Sequence, residues 1–139
     1  MELDCTCFRV KRLSRAITQL YDEAVRPAGL RITQFSLLSA LRNEGPMTVA
    51  ALAAGLGADT TSISRALAAL QSRELVLLRK GPDRRSKSVS ITSRGRELLR
   101  EAEPYWLEAQ RRIAEALGPD GQRDLDHQLD ALSRRISDL

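Results

Sequence analysis

Residues 59–92 read DTTSISRALAALQSRELVLLRKGPDRRSKSVSIT, and most of the fold follows from this stretch. Asp59 is an N-cap residue, whose carboxylate accepts from the free amides of a first helical turn. Behind it Ile63, Leu67 and Leu70 fall at i, i+4 and i+7, the buried stripe of a helix over residues 59–73. Two short β-prone runs follow, residues 75–79 and 87–92; in the second, Val89 and Ile91 alternate with Ser88 and Ser90, which places the first pair inward and the second outward. Gly81-Pro82-Asp83-Arg84-Arg85-Ser86 between them consists of turn formers and cations. The expectation is a helix followed by a hairpin with a basic tip.

Upstream, Thr48 is placed to cap a short Ala-rich helix over residues 49–56, and Gly57 suits a left-handed helix end. Thr33 is placed to cap a helix that carries Phe35, Leu38 and Leu41 inward and stops at Gly45-Pro46. Over residues 4–26, Cys7, Val10, Leu13, Ile17, Leu20, Tyr21 and Ala24 keep the three-and-four spacing of one helical face, and Pro27 and Gly29 interrupt it. Downstream, Thr92 or Ser93 caps a long helix through Leu99, Ala102, Trp106, Ile113 and Leu117, which Gly118-Pro119 breaks. A last helix runs to the end through Leu125, Leu129, Leu132 and Ile136. The predicted class is mainly α with a small β-hairpin.

A chain of 139 residues, 42% of them hydrophobic, suits a single domain over residues 1–139. Its first ten residues are interrupted by Asp4 and Arg9 where a secretion signal needs an apolar run, and no later run approaches membrane-spanning length. A cytoplasmic protein with no membrane partner is expected. Cys5 and Cys7 are the two cysteines and read as free thiols in a reducing compartment. Net charge is +4, but residues 58–96 hold nine Lys/Arg against three Asp/Glu, whereas residues 97–139 hold six against ten. This central basic segment commonly marks a polyanion-binding face.

Three helices and a basic-tipped hairpin in this order form the pattern of a winged helix-turn-helix, whose third helix enters the major groove of double-stranded DNA while the hairpin reaches the backbone or minor groove. Residues 33–96 would form that part. Thr60, Thr61, Ser62, Ser64 and Arg65 lie on the first two turns of the reading helix, away from Ile63 and Leu67. They are hydroxyls for phosphate oxygens and base edges, with one guanidinium able to grip guanine at two points. Arg84, Arg85 and Lys87 ring the hairpin tip. Residues 1–32 and 97–139 supply more apolar helix face than so small a winged part covers, which favours a homodimer, though a bundle within one subunit also absorbs such faces.

Enzymatic readings find little support. His127 is the single histidine, no His or Cys pair has chelating spacing with further ligands, and glycine-rich phosphate loops and nucleophile elbows are missing from the sequence. No metal and no cofactor are expected. A winged helix used for protein contacts is the other alternative, and it has no need of so concentrated a charge.

Residues 34–99 resemble the multiple-antibiotic-resistance regulator (MarR) family. The resemblance rests on Leu52-Ala53, on Ser62-Ile63-Ser64-Arg65-x-Leu67-x-x-Leu70, on Glu74-Leu75-Val76, on Asp83-Arg84-Arg85-Ser86-Lys87 and on Ile91-Thr92-x-x-Gly95. It implies a dimer in which the first and the last two helices of each subunit intertwine. It also implies that Arg85 enters the minor groove, held by Asp83.

The segment from Cys7-Phe8 through Ser14-Arg15 and Ile17-Thr18 to Tyr21 resembles the first helix of the organic-hydroperoxide-sensing repressors of that family. The resemblance implies that Cys7 is a peroxide-reactive thiol and that Tyr21 hydrogen-bonds it from the partner subunit. One straight helix spans roughly 21 Å between the two positions, so contact requires a second chain. Arg9, Lys11 and Arg12 and the helix dipole favour a reactive sulfur there, and Asp4 opposes them; on the apolar stripe with Val10 and Ile17, a cysteine that only packs is the other reading. Lys11 and Ile32 stand where that subgroup carries further tyrosines. Oxidation would leave a sulfenic acid, a mixed disulfide, or a bond to Cys5 or across the dimer. The effector is thus an oxidant or, as in other relatives, a small phenolic or aromatic molecule held between the dimer arms and the winged part.

Overall fold

The computed structural model describes residues 4–81, 83 and 85–139. Helix α1 (Thr6–Val25) passes through a 3-10 turn (Arg26–Ala28) into α2 (Ile32–Glu44). A two-residue strand β1 (Met47–Thr48) leads into α3 (Val49–Gly55) and α4 (Thr60–Ser72), then β2 (Val76–Lys80), β3 (Lys87–Ile91), α5 (Ser93–Leu117) and α6 (Gly121–Ser137). The strands form one antiparallel sheet in the order β1-β3-β2. The mainly helical class and the winged helix-turn-helix are therefore present, with one strand more than the hairpin expected from sequence.

Local chemistry sets the element ends around the reading helix. Thr48 Oγ1 accepts the Ala51 amide at 3.1 Å and starts α3. Gly57, at φ 61°, then takes the left-handed conformation that a side chain would resist. Asp59 Oδ1 accepts the Ser62 amide at 2.8 Å and starts α4. At the head of α5, Thr92 Oγ1 accepts the Gly95 amide at 3.0 Å while its hydroxyl donates to the Glu74 carbonyl oxygen at 2.7 Å.

Several sequence expectations are corrected. Thr33 does not cap α2: the Ile32 amide donates to Asp22 Oδ1 at 2.8 Å and the Arg31 amide to Gln34 Oε1 at 3.0 Å, so the helix closes earlier. β2 begins at Val76, because Leu75 is still bonded back to Leu70. β3 stops at Ile91, because Thr92 serves as a cap. Ser88 and Ser90, expected outward, are half-buried since β3 is the central strand of three. The first helix begins at Thr6, with Cys5 as its N-cap.

Among the described residues one apolar cluster joins the elements. Ile63, Leu67 and Leu70 of α4 are buried with Leu37, Leu38 and Leu41 of α2, Val89 of β3 and Leu99 of α5. Each such side chain withdrawn from water contributes about 1.5 to 3 kcal/mol before entropy is counted. Phe35 stacks on Trp106 with ring centroids 5.6 Å apart, and Arg42 of α2 pairs with Glu103 of α5. The expected stripes at the chain ends are different: Val10 and Leu13 are 46% exposed, Leu107 57% and Ile136 56%, and α6 has no buried residue. No helix among the described residues is long and apolar enough to cross a membrane.

Candidate nucleic-acid interface

The core stripe of α4 leaves Thr60, Thr61, Ser62, Ser64 and Arg65 exposed on its first two turns, as the periodicity requires. They are not equivalent. Ser62 donates its hydroxyl to Asp59 Oδ2 at 2.7 Å, in addition to its amide on Oδ1, so its proton is committed to the cap. The Ser62 amide and then its hydroxyl hold the Asp59 carboxyl below the usual aspartate range. Arg65 makes no ion pair among the described residues.

The turn between β2 and β3 is closed by the Gly81 amide on the Ser86 carbonyl oxygen at 2.9 Å. Asp83 Oδ1 accepts the Arg85 backbone amide at 2.7 Å. The aspartate therefore shapes the turn through the main chain and leaves the exposed Arg85 guanidinium to point elsewhere. Arg84 lies outside the described residues.

Helix and wing converge. Thr60 and Ser64 from α4, Asp83, Arg85 and Lys87 from the wing, and Thr48 from the start of α3 line one open cleft of about 480 Å³. Thr61, Ser62 and Arg65 stand on α4 outside that lining. Thr48 appeared in the sequence only as a cap, and its place in this cleft depends on the pairing of β1 with β3. Hydroxyl donors beside two cations in a groove of this size fit the oxygens of a polyanion backbone, and Arg65 on the neighbouring turn is free to reach a base edge.

At the other end of the molecule, Cys5 and Cys7 are exposed free thiols beside an Asp4–Arg9 ion pair of 3.1 Å. Tyr21 is half-buried and donates its hydroxyl to Gln110 Oε1 of α5. Burial first, and then the charge of Asp126, pushes the Tyr21 hydroxyl pKa up. No hydrogen bond joins Tyr21 to Cys7 among the described residues. His127 is exposed on α6, and no metal-holding cluster of His, Cys, Asp or Glu occurs among the described residues.

Such a helix and wing, with donors and cations on one face, define a winged helix-turn-helix DNA-binding protein. Comparison with known proteins agrees. The model of the MarR family matches residues 30–87. The M. tuberculosis transcriptional regulator MosR, solved in complex with DNA, is 33% identical with a TM-score of 0.80, over 94% of this chain and 98% of that one. A MarR-family regulator from Rhodococcus sp. RHA1 shares the fold at 22% identity and a TM-score of 0.79, over 94% of this chain and 96% of its own. YwoH, an uncharacterised helix-turn-helix transcriptional regulator of Bacillus subtilis, is 29% identical over 93 residues, 67% of this chain and 68% of that protein. The chain belongs to the MarR family and is a DNA-binding transcriptional regulator, not an enzyme.

Proposed function

We propose that the protein is a cytoplasmic homodimeric repressor that binds a palindromic operator. The observation that carries the reading is the single cleft shared by Thr60 and Ser64 of α4 with Arg85 and Lys87 of the wing. Arg65 reads a base, Arg85 enters the minor groove, Thr60, Thr61, Ser64, Arg84 and Lys87 hold phosphates or base edges, and Ser62, its proton held by the Asp59 cap, offers only an acceptor oxygen to a base edge. The apolar faces left open on α1, α5 and α6, with Leu107 and Ile136 each more than half exposed, are covered by the second copy. A twofold dimer presents two α4 helices to half-sites about 10 bp apart. Footprinting on the DNA upstream of its own gene, with the mass of the species in solution, tests both parts. A protected palindrome and a dimer are expected; a lone half-site or a monomer overturns the reading.

Release from DNA follows oxidation of Cys7, a reading supported by the thiol's exposure in the first turn of α1. Cys7 sulfur attacks the distal peroxide oxygen, an S–O bond forms as the O–O bond breaks, and the alcohol leaves with the proton, giving a sulfenic acid. Tyr21 of one subunit, when freed from Gln110, and Cys5 are the groups available to that product. A second reading is favoured by the open cavity of about 500 Å³ between α2 and α5, lined by Phe35, Ser39, Arg42, Glu103 and Trp106, which suits a small aromatic acid. Titration of the operator complex with cumene hydroperoxide, hydrogen peroxide and hypochlorite separates them. Release abolished by Cys7→Ser and kept by Cys5→Ser supports the first; release by a phenolic acid alone supports the second.

A further inference from the structure

The wing has a second flank. Val76 pairs with Ile91, Leu78 with Val89, and Lys80 with Lys87. Strand alternation puts these three pairs on one face of the sheet. Val76, Leu78, Val89 and Ile91 bind that face to the core that α4 shares. At the third pair the face has run past the core, and two exposed ammonium side chains stand directly opposite each other. Like charges so placed destabilise a sheet. No carboxylate is ion-paired with either lysine among the described residues.

Beside this pair, Gln71 of α4 and Arg79 complete a concavity of about 300 Å³ lined also by Leu78, which holds three cations and no acid. Lys87 lines the first cleft as well, with Thr60, Ser64 and Arg85, so the two clefts share a wall on β3. A repulsive pair that weakens the free protein, and that shares a side chain with the DNA-facing cleft, is relieved by an anion lying between the lysines. We propose that Lys80 and Lys87, with Gln71, bind a second backbone phosphate, so that DNA grips the wing on both flanks. The inference rests on the reading of α4 and the wing as the DNA face. Ammonium groups and an amide N–H offer donors to phosphate oxygens without a fixed fork, so this contact adds affinity and no base preference.

The test compares Lys80→Gln and Lys80→Glu with Arg85→Ala and wild type, measuring operator affinity against salt and the melting of the free protein. Lys80→Gln is expected to lower the log–log salt slope by about 0.9 per half-site, the effect of one lost phosphate contact, with base preferences unchanged. Lys80→Glu is expected to bind DNA more weakly still, yet to melt at a higher temperature than wild type, because it turns the repulsive pair into an attractive one. Opposite signs on affinity and stability are what a purely structural lysine does not produce. A methylphosphonate that neutralises the contacted phosphate should weaken wild type more than it weakens Lys80→Gln. If Lys80→Gln keeps the wild-type slope while Arg85→Ala lowers it, the second phosphate site is refuted and the DNA face stands. If wild type itself shows no salt-dependent binding, both fall.

Discussion

Arg73, the residue that ends α4, donates from Nη1 to the carbonyl oxygen of Gly29 at 2.7 Å. The bond ties the far end of the reading helix to the turn between α1 and α2, so α4 is held by the Asp59 cap at one end and by this tether at the other. Arg73→Ala is expected to cost about 1 kcal/mol of stability, the net worth of a partly solvated hydrogen bond. In urea the midpoint should fall with the slope unchanged. Operator affinity should change little, because the DNA-facing turns lie at the opposite, capped end.

Gly95 sits where α5 passes closest to the chain leaving α4. A Cβ there would lie 2.2 Å from the Leu75 carbonyl oxygen and 2.8 Å from Ile91 Cγ1, and neither a backbone oxygen nor a packed strand residue yields cheaply. Gly95→Ala should therefore destabilise the fold by roughly 1 to 3 kcal/mol, as overpacking does. Gly55, at the end of α3, has nothing within 4 Å of an added Cβ, so Gly55→Ala is the matched control and should be neutral or stabilising. Equal losses from both substitutions would contradict the close contact.

The Asp59 cap carries a pH signature. Its carboxyl is held below the ordinary aspartate value of 3.8 in the folded chain, so the stabilisation is present above that value and is lost as pH falls through the lower, folded one. Asp59→Ala should lower the melting temperature at neutral pH, and the difference from wild type should shrink under acid conditions below the aspartate range. Melting both proteins from neutral to acid pH checks this. A difference that stays constant across that range would refute the cap's contribution.

What was legible in the sequence is what local chemistry decides. Thr48, Asp59 and Thr92 each accept an amide three residues ahead, and Ile63, Leu67 and Leu70 repeat on a helical period, so α3, α4 and the head of α5 could be read from single stretches. The start of α2 was legible only in part, because beside the local bond from the Arg31 amide to Gln34 the other acceptor that closes it is Asp22, ten residues back in another helix. β1 consists of two residues and exists through its pairing with Val89 and Ser88. The exposed face of α4 followed from periodicity, whereas the meeting of Thr48 with the wing, and of Lys80 with Lys87, depends on strand register. Tyr21 likewise gave no sign in sequence of its bond to Gln110, eighty-nine positions away.

Arg65 and Arg85 should fail in different ways. Arg65 projects from the second turn of α4, outside the cleft that Thr60 and Ser64 share with the wing, while Arg85 lines that cleft on a turn shaped through its own backbone by Asp83. A guanidinium gripping guanine discriminates between bases, so Arg65→Ala should cost roughly 1 to 3 kcal/mol on the operator and much less on random duplex. Arg85→Ala should weaken both DNAs and flatten the salt dependence, because its contact is made mainly with backbone charge. Arg85→Lys should recover part of that loss, whereas Arg65→Lys should recover less of the base preference, since an ammonium lacks the planar two-point grip. Titrating operator and random duplex with all four variants at two or more salt concentrations separates the roles. If Arg65→Ala weakens operator and random DNA by the same factor, Arg65 is a phosphate contact and base reading must fall to the hydroxyls of Thr60, Thr61 and Ser64.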